Sequence, residues 1–115
     1  MHALAHLKAA GEVNSTAENL QAAISGETHE YKDMYPAMIE TAKTEGEKAA
    51  RRSFENANAV EEMHAGLYQA VLDNLESPTA VDYYVCSVWG NTVESEAPDT
   101  CPVCGAKAQA FSKAD

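Results

Sequence analysis

Glu27 and Glu30 stand three residues apart, as do Glu61 and His64, in two stretches that otherwise repeat apolar residues every three or four positions. On a helix, that spacing puts each pair on one face. The first stripe reads Leu20, Ala23, Glu27, Glu30, Met34, Ala37, Thr41; the second reads Phe54, Ala57, Glu61, His64, Tyr68, Val71, Leu75. A buried carboxylate costs several kcal/mol unless it is paired or neutralised. Three carboxylates and an imidazole in one core layer repel each other unless a cation sits among them, and oxygen and nitrogen donors suit a metal. A lone Glu-x-x-His arises often by chance, and a Glu at such a position is often a flank residue whose head reaches water, as expected for Glu55 and Glu62. Two pairs at matching depth argue for more. Glu30 lies 16 residues before Gly46 and Glu61 lies 15 after it, so antiparallel helices joined there bring the two to similar height.

The cysteines form a second candidate centre. Tyr83-Tyr84-Val85-Cys86 reads as a short strand entering a tight turn, and Cys101-Pro102-Val103-Cys104-Gly105 reads as a metal-binding knuckle. Two such knuckles suit a site in which four thiolates hold one iron or zinc. The first knuckle, however, runs Cys86-Ser87-Val88-Trp89-Gly90, with Trp89 where a second thiol would stand. Three thiolates remain: Cys86, Cys101 and Cys104. Water, Glu96 or Asp99 could complete the set, zinc could replace iron, or the site could stay empty. An odd number of cysteines with this spacing fits a metal site in a reducing, cytoplasmic setting better than a disulfide framework.

The elements that must position these residues can be read from caps and breakers. Gly11-Glu12-Val13-Asn14 ends a short first segment. Ser15-Thr16-Ala17-Glu18 is a capping box and predicts a helix from Ser15 to about Thr44, with Glu45-Gly46 as its stop. Pro36 predicts a kink or bulge inside it. The next helix is expected from about Glu47 to Leu75. All three cysteines and three of the four prolines follow Ser77, so the expected division is 1–14 as remnant helix and linker, 15–77 as helical hairpin, and 78–115 as metal-binding module. His29 falls off both stripes and is expected at the surface. Tyr31 and Tyr68 are candidates either to hydrogen-bond a ligand carboxylate or to fill the core. Gly26 is by default a tolerated glycine, with close approach near the metal layer as the alternative.

With 115 residues, 45% of them hydrophobic, the chain is globular rather than disordered. Its net charge of -10 argues against nucleic acid and against anionic membranes. No apolar run approaches the roughly 18 residues of a membrane span, and Met1 to Ala10 lacks the apolar centre of a signal peptide.

Nearly the whole chain resembles the rubrerythrins. The resemblance is carried by Leu7 to Val13, Gly26-Glu27-Thr28-His29-Glu30-Tyr31, Met34-Tyr35-Pro36, Glu61-Glu62-Met63-His64-Ala65 and the cysteine segment. It implies a mainly α fold: half of a ferritin-like four-helix bundle, followed by a small rubredoxin-like domain. It also implies a di-iron centre with Glu27, Glu30, Glu61 and His64 as ligands. Met1-His2-Ala3 repeats Met63-His64-Ala65, which makes His2 the counterpart of the other imidazole. The implied activity is reduction of hydrogen peroxide in oxidative-stress defence, with electrons from rubredoxin or another donor passing through the rubredoxin-like site. One hairpin cannot enclose two irons, so a homodimer or higher oligomer is expected, its rival being a piece of a longer chain. The alternatives are a ferritin-like iron-binding or storage protein, favoured by the missing thiolate, and a non-catalytic zinc-knuckle interaction module.

Overall fold

The computed structural model describes residues 2–114. Helix α1 spans His2–Ala9, α2 spans Thr16–His29, a π-helical turn spans Glu30–Met34, α3 spans Tyr35–Glu45 and α4 spans Lys48–Asp73. Strands β1 (Tyr83–Cys86), β2 (Thr92–Glu94) and β3 (Phe111–Lys113) follow. Among the described residues, no helix is long and apolar enough to cross a membrane.

Ser15 caps α2 as its sequence requires. Its hydroxyl accepts the Glu18 amide at 3.3 Å, and its own amide donates to the Glu18 carboxylate at 3.0 Å. Both are amides the helix cannot satisfy internally. Ser15→Ala is expected to cost about 1 kcal/mol, visible as a lowered midpoint in thermal unfolding.

The expected disturbance at Pro36 takes the form of the π turn. In a continuous α-helix the proline ring would collide with the carbonyl four residues back. One extra residue in the preceding turn relieves that, and the Tyr35 amide donates to the Glu30 carbonyl, five residues back. The chain then runs to Gly46, whose φ of 73° closes α3 with the Gly46 amide on Lys43 and the Glu47 amide on Ala42. A left-handed residue there favours glycine. The tight link folds α4 back along both α2 and α3, giving the expected hairpin.

The hairpin buries little by itself. Its fully buried apolar residues are Ala42, Val60 and Ala65, while Leu4, Leu7, Met38, Tyr68 and Val71 are exposed. The expected core stripe is therefore only partly covered: Ala37, Thr41, Tyr68 and Val71 on it face outward. Val60 and Ala65 lie off that stripe. Val60 faces the cysteine module, where its side chain approaches within 3.9 Å of the position a Cβ on Gly90 would take. So α4 is packed on more than one side.

The three strands form an antiparallel sheet in the order β2-β1-β3. Tyr84 pairs with Val93 on one side, and Val85 with Ser112 on the other. This central position of β1 aims Cys86 into the module's interior, where it and Cys101 are buried.

Candidate metal centres

Glu27, Glu61 and His64 converge at the interface of α2 and α4, each offering a ligand atom within 4.8 Å of the others. His64 Nδ1 lies 3.0 Å from Glu61 Oε2 and 3.8 Å from Glu27 Oε1. The carboxylate side chains are each 18% exposed and the imidazole 24%. The other imidazole nitrogen, Nε2, lies 3.1 Å from the Gly90 carbonyl of the cysteine module. A carbonyl can only accept, so Nε2 carries an N–H there, which leaves Nδ1 on the carboxylate side free to present its lone pair to a bound metal. This tautomer is the one a metal-ligating histidine adopts. Thr92 Oγ1 donates to the same carbonyl at 2.9 Å.

The two carboxylates strain against each other. Burial, then the hydrogen bond with Glu61 and its charge, push the Glu27 carboxyl up to about 7, against the pull of His64. A cation at the centre of this donor set removes that conflict, so the residues fit a metal. The pH dependence follows. A raised carboxyl pKa means the folded state holds its proton more tightly than the unfolded state, whose value is near 4.5. In metal-free protein this favourable contribution is present below pH 4.5 and is lost as pH rises through about 7. Metal must displace the same proton, so metal affinity is expected to climb with pH across that window and then level off. Calorimetric titrations in two buffers of different ionisation enthalpy count the released proton.

The cysteine module holds the second cluster. Cys86, Cys101 and Cys104 offer sulfurs within 4.8 Å of one another, and Cys86 Sγ lies 3.8 Å from Cys104 Sγ. The two knuckles have the same backbone form. Gly90 donates to the Cys86 carbonyl at 2.8 Å and Gly105 to the Cys101 carbonyl at 2.9 Å, with φ of 75° and 76°. Burial opposes ionisation of Cys101, yet the Cys104 and Val103 amides and the neighbouring thiols hold it below the ordinary thiol value. For Cys104, the Ala106 amide favours the thiolate, but burial and the other two thiols leave it raised. Glu96 and Asp99 are exposed and lie outside the three-sulfur group. A four-thiolate iron does not fit: Trp89 occupies the position in the first knuckle that Cys104 occupies in the second.

The family model described as Rubrerythrin matches residues 1–72, and that described as Rubrerythrin, rubredoxin-like domain matches residues 84–112. This chain belongs to the rubrerythrin family. Rubrerythrin-2 of Clostridium acetobutylicum is 41% identical over 97 residues, covering 82% of this chain and 53% of that protein. Rubrerythrin of Porphyromonas gingivalis is 39% identical over 101 residues, covering 83% and 50%. Nigerythrin of Nitratidesulfovibrio vulgaris is 34% identical over 86 residues, covering 75% and 43%. The structure of fully reduced nigerythrin superposes with a TM-score of 0.83 at 30% identity, over 89% of this chain and 50% of that one. The mixed-valence nigerythrin structure gives 0.82 at 31%, over 88% and 50%. This rubrerythrin-family chain thus spans about half the length of the curated relatives it matches.

Within that frame, the candidate residues separate. Glu30 opens the π turn, half-buried; it is not in the three-residue cluster, but its charge helps to raise Glu27. His2 sits on α1, exposed, and Met1 lies outside the described residues. His29 is exposed and pairs with Asp33 at 3.5 Å, and Glu55 pairs with Arg51 at 3.2 Å. A Cβ on Gly26 would meet nothing within 4 Å, so within this chain no close approach requires that glycine. Neither Tyr31 nor Tyr68 hydrogen-bonds a candidate carboxylate among the described residues.

The tyrosine that does face the carboxylates is Tyr35. Burial, then the charges of Glu61, Glu30 and Glu27, push its phenol up. Its ring leans on Phe54, with centroids 6.4 Å apart. Sequence reasoning passed over it because five residues separate it from Glu30, which on an α-helix turns it away. The π turn restores the shared face, and Pro36 was the available signal.

Proposed function

We propose that this hairpin, paired with a second hairpin, forms a non-haem di-iron oxidoreductase that reduces hydrogen peroxide in oxidative-stress defence. The observation that carries this reading is the convergence of Glu27, Glu61 and His64 on one point between two helices. Carboxylates on one helix with Glu-x-x-His on another is how helical bundles hold two irons. Glu30 is taken as a fourth ligand, and His2 as a further one in the assembled bundle. Bound iron would supply the electrons and Lewis acidity for cleaving the peroxide O–O bond.

The chain's own groups have definite parts in this proposal. Glu27 carries a raised carboxyl in the metal-free chain and gives up that proton when metal binds. His64 is held in one tautomer by the Gly90 carbonyl. Tyr35 places a phenol beside the carboxylates as a neutral hydrogen-bond donor.

The second hairpin is taken to be another copy of this chain, because α1, α3 and α4 all carry exposed large apolar side chains. Each such residue, once covered, adds on the order of 1–2 kcal/mol. The division into 1–14, 15–77 and 78–115 and a cytoplasmic location go with this proposal. Rubredoxin, or another small reduced protein, is the proposed donor. It delivers electrons directly, since the three-thiol site does not fit a four-thiolate iron.

The missing thiol favours a second reading: a ferritin-like iron-binding protein without efficient peroxidase turnover. Iron-loaded protein assayed for peroxide consumption with reduced rubredoxin separates them. Steady turnover supports the first reading. Iron uptake with only a single turnover of oxidation supports the second. Zinc with no iron would leave a non-catalytic interaction module.

A further inference from the structure

The three-thiol cluster has geometry for a metal but one corner missing. A divalent ion held by thiolates at about 2.3 Å in a tetrahedron sets neighbouring sulfurs roughly 3.8 Å apart. Cys86 Sγ and Cys104 Sγ are 3.8 Å apart. A disulfide would need about 2.05 Å. The knuckle around Cys86 has the same turn and the same glycine as the one around Cys101, although Trp89 stands where that one has Cys104. The loop thus has the shape of a two-thiol knuckle but carries Trp89 at the second position.

Beside the cluster, reached by Cys104 and by Trp89 at the position of the missing thiol, lies a cleft. Trp89 and Cys104 line one side of a cleft of about 370 Å³. Arg52, Ser53 and Asn56 of α4 line the other. The acidic side chains nearest in sequence, Glu96 and Asp99, are exposed and do not join the sulfurs. The indole of Trp89 has a donor N–H and no lone pair to offer.

We propose that Cys86, Cys101 and Cys104 form a three-thiolate site for a zinc-class divalent cation whose fourth position, reached through the Trp89–Arg52 cleft, takes an exchangeable small ligand. Water occupies it at rest, and a small soft anion such as a thiolate or cyanide displaces the water. Three protein ligands with one open position is the arrangement of zinc sites that exchange ligands, whereas four closes the site. Arg52, exposed on the cleft wall, offers the positive charge that an incoming anion needs. The proposal does not depend on the helical centre holding iron.

Cobalt(II) is the probe, added to the 115-residue chain under anaerobic conditions. Only the cysteine site can give near-ultraviolet sulfur-to-cobalt charge-transfer bands, so cobalt at the helical centre does not confuse the readout. The expected result is a set of charge-transfer bands of three-thiolate intensity that shifts, saturably, when cyanide is added. Trp89→Cys should raise the charge-transfer intensity by about one third, as three sulfurs become four, and abolish the response, with far-ultraviolet circular dichroism unchanged. Absence of charge-transfer bands in the wild-type chain would overturn the proposal. So would a wild-type spectrum that ignores added ligand, which would mean that a protein group closes the fourth position.

Discussion

Replacing Glu61 with Gln is expected to move the two forms of the protein in opposite directions. Metal affinity at the helical centre should fall at least about 100-fold, since losing even an outer partner of a metal ligand costs 10- to 100-fold. The metal-free protein should become more stable, by on the order of 1 kcal/mol, because a partly buried carboxylate pair loses one of its charges. Glutamine keeps the shape and remains a hydrogen-bonding partner for His64 Nδ1, so packing is not the cause. Glu27 loses both the hydrogen bond and the charge that raise it, so its carboxyl should titrate lower. Thermal unfolding with and without metal gives the crossover. If His64 and Glu61 were merely a structural ion pair, at their 3.0 Å separation, the substitution would destabilise the metal-free form as well.

The second large effect concerns assembly. Val71 is 38% exposed on the same side of α4 as Tyr68, and both line a cleft that reaches His64. In an isolated hairpin, Val71→Asp is a surface change and should cost within about 0.5 kcal/mol. Against a second hairpin, it buries an unpaired carboxylate and should cost several kcal/mol per site. The expected outcome is a mass falling to that of one chain, with loss of helical-site metal though every ligand of that chain is intact. Light scattering and metal analysis on one sample measure both. An unchanged mass with full metal would mean that this face is not covered by a second copy.

Local signals in the sequence carried much of the fold. The Ser15–Glu18 box, the Gly46 stop and the Tyr83–Cys86 strand are set by nearest-neighbour chemistry: an unsatisfied amide, a left-handed residue, a run of β-forming side chains. Pro36 announced a break but not its kind. The choice of a π turn over a kink depends on the packing of α2 and α3 against α4, which no local pattern encodes. For that reason Tyr35 was missed, and Glu30 was read as level with Glu61 although the tight cluster is Glu27, Glu61 and His64. The height argument places Glu27 with His64 equally well, since they lie 19 residues before Gly46 and 18 after it. It is the Glu27 carboxylate that closes on His64.

The contact between the two parts of the chain was the least legible feature. Val60 is off the apolar stripe and Gly90 reads only as a turn residue, yet together they seat the cysteine module on α4. That seat brings a backbone carbonyl to His64 Nε2. A main-chain acceptor leaves no trace in residue identity. The missing thiol is the opposite case, visible at once in the sequence as Trp89. Its meaning became clear only when the knuckle around it was seen to keep its form.

The central claim is that the helical residues form a metal centre shared between hairpins. It is tested most directly by measuring iron per chain on anaerobically prepared protein whose assembled mass is determined on the same sample. About one iron per chain at the helical centre in a dimer or larger assembly is the predicted result, because two copies of the Glu27–Glu61–His64 set would enclose two irons. A monomeric mass with helical-site iron near zero would contradict it.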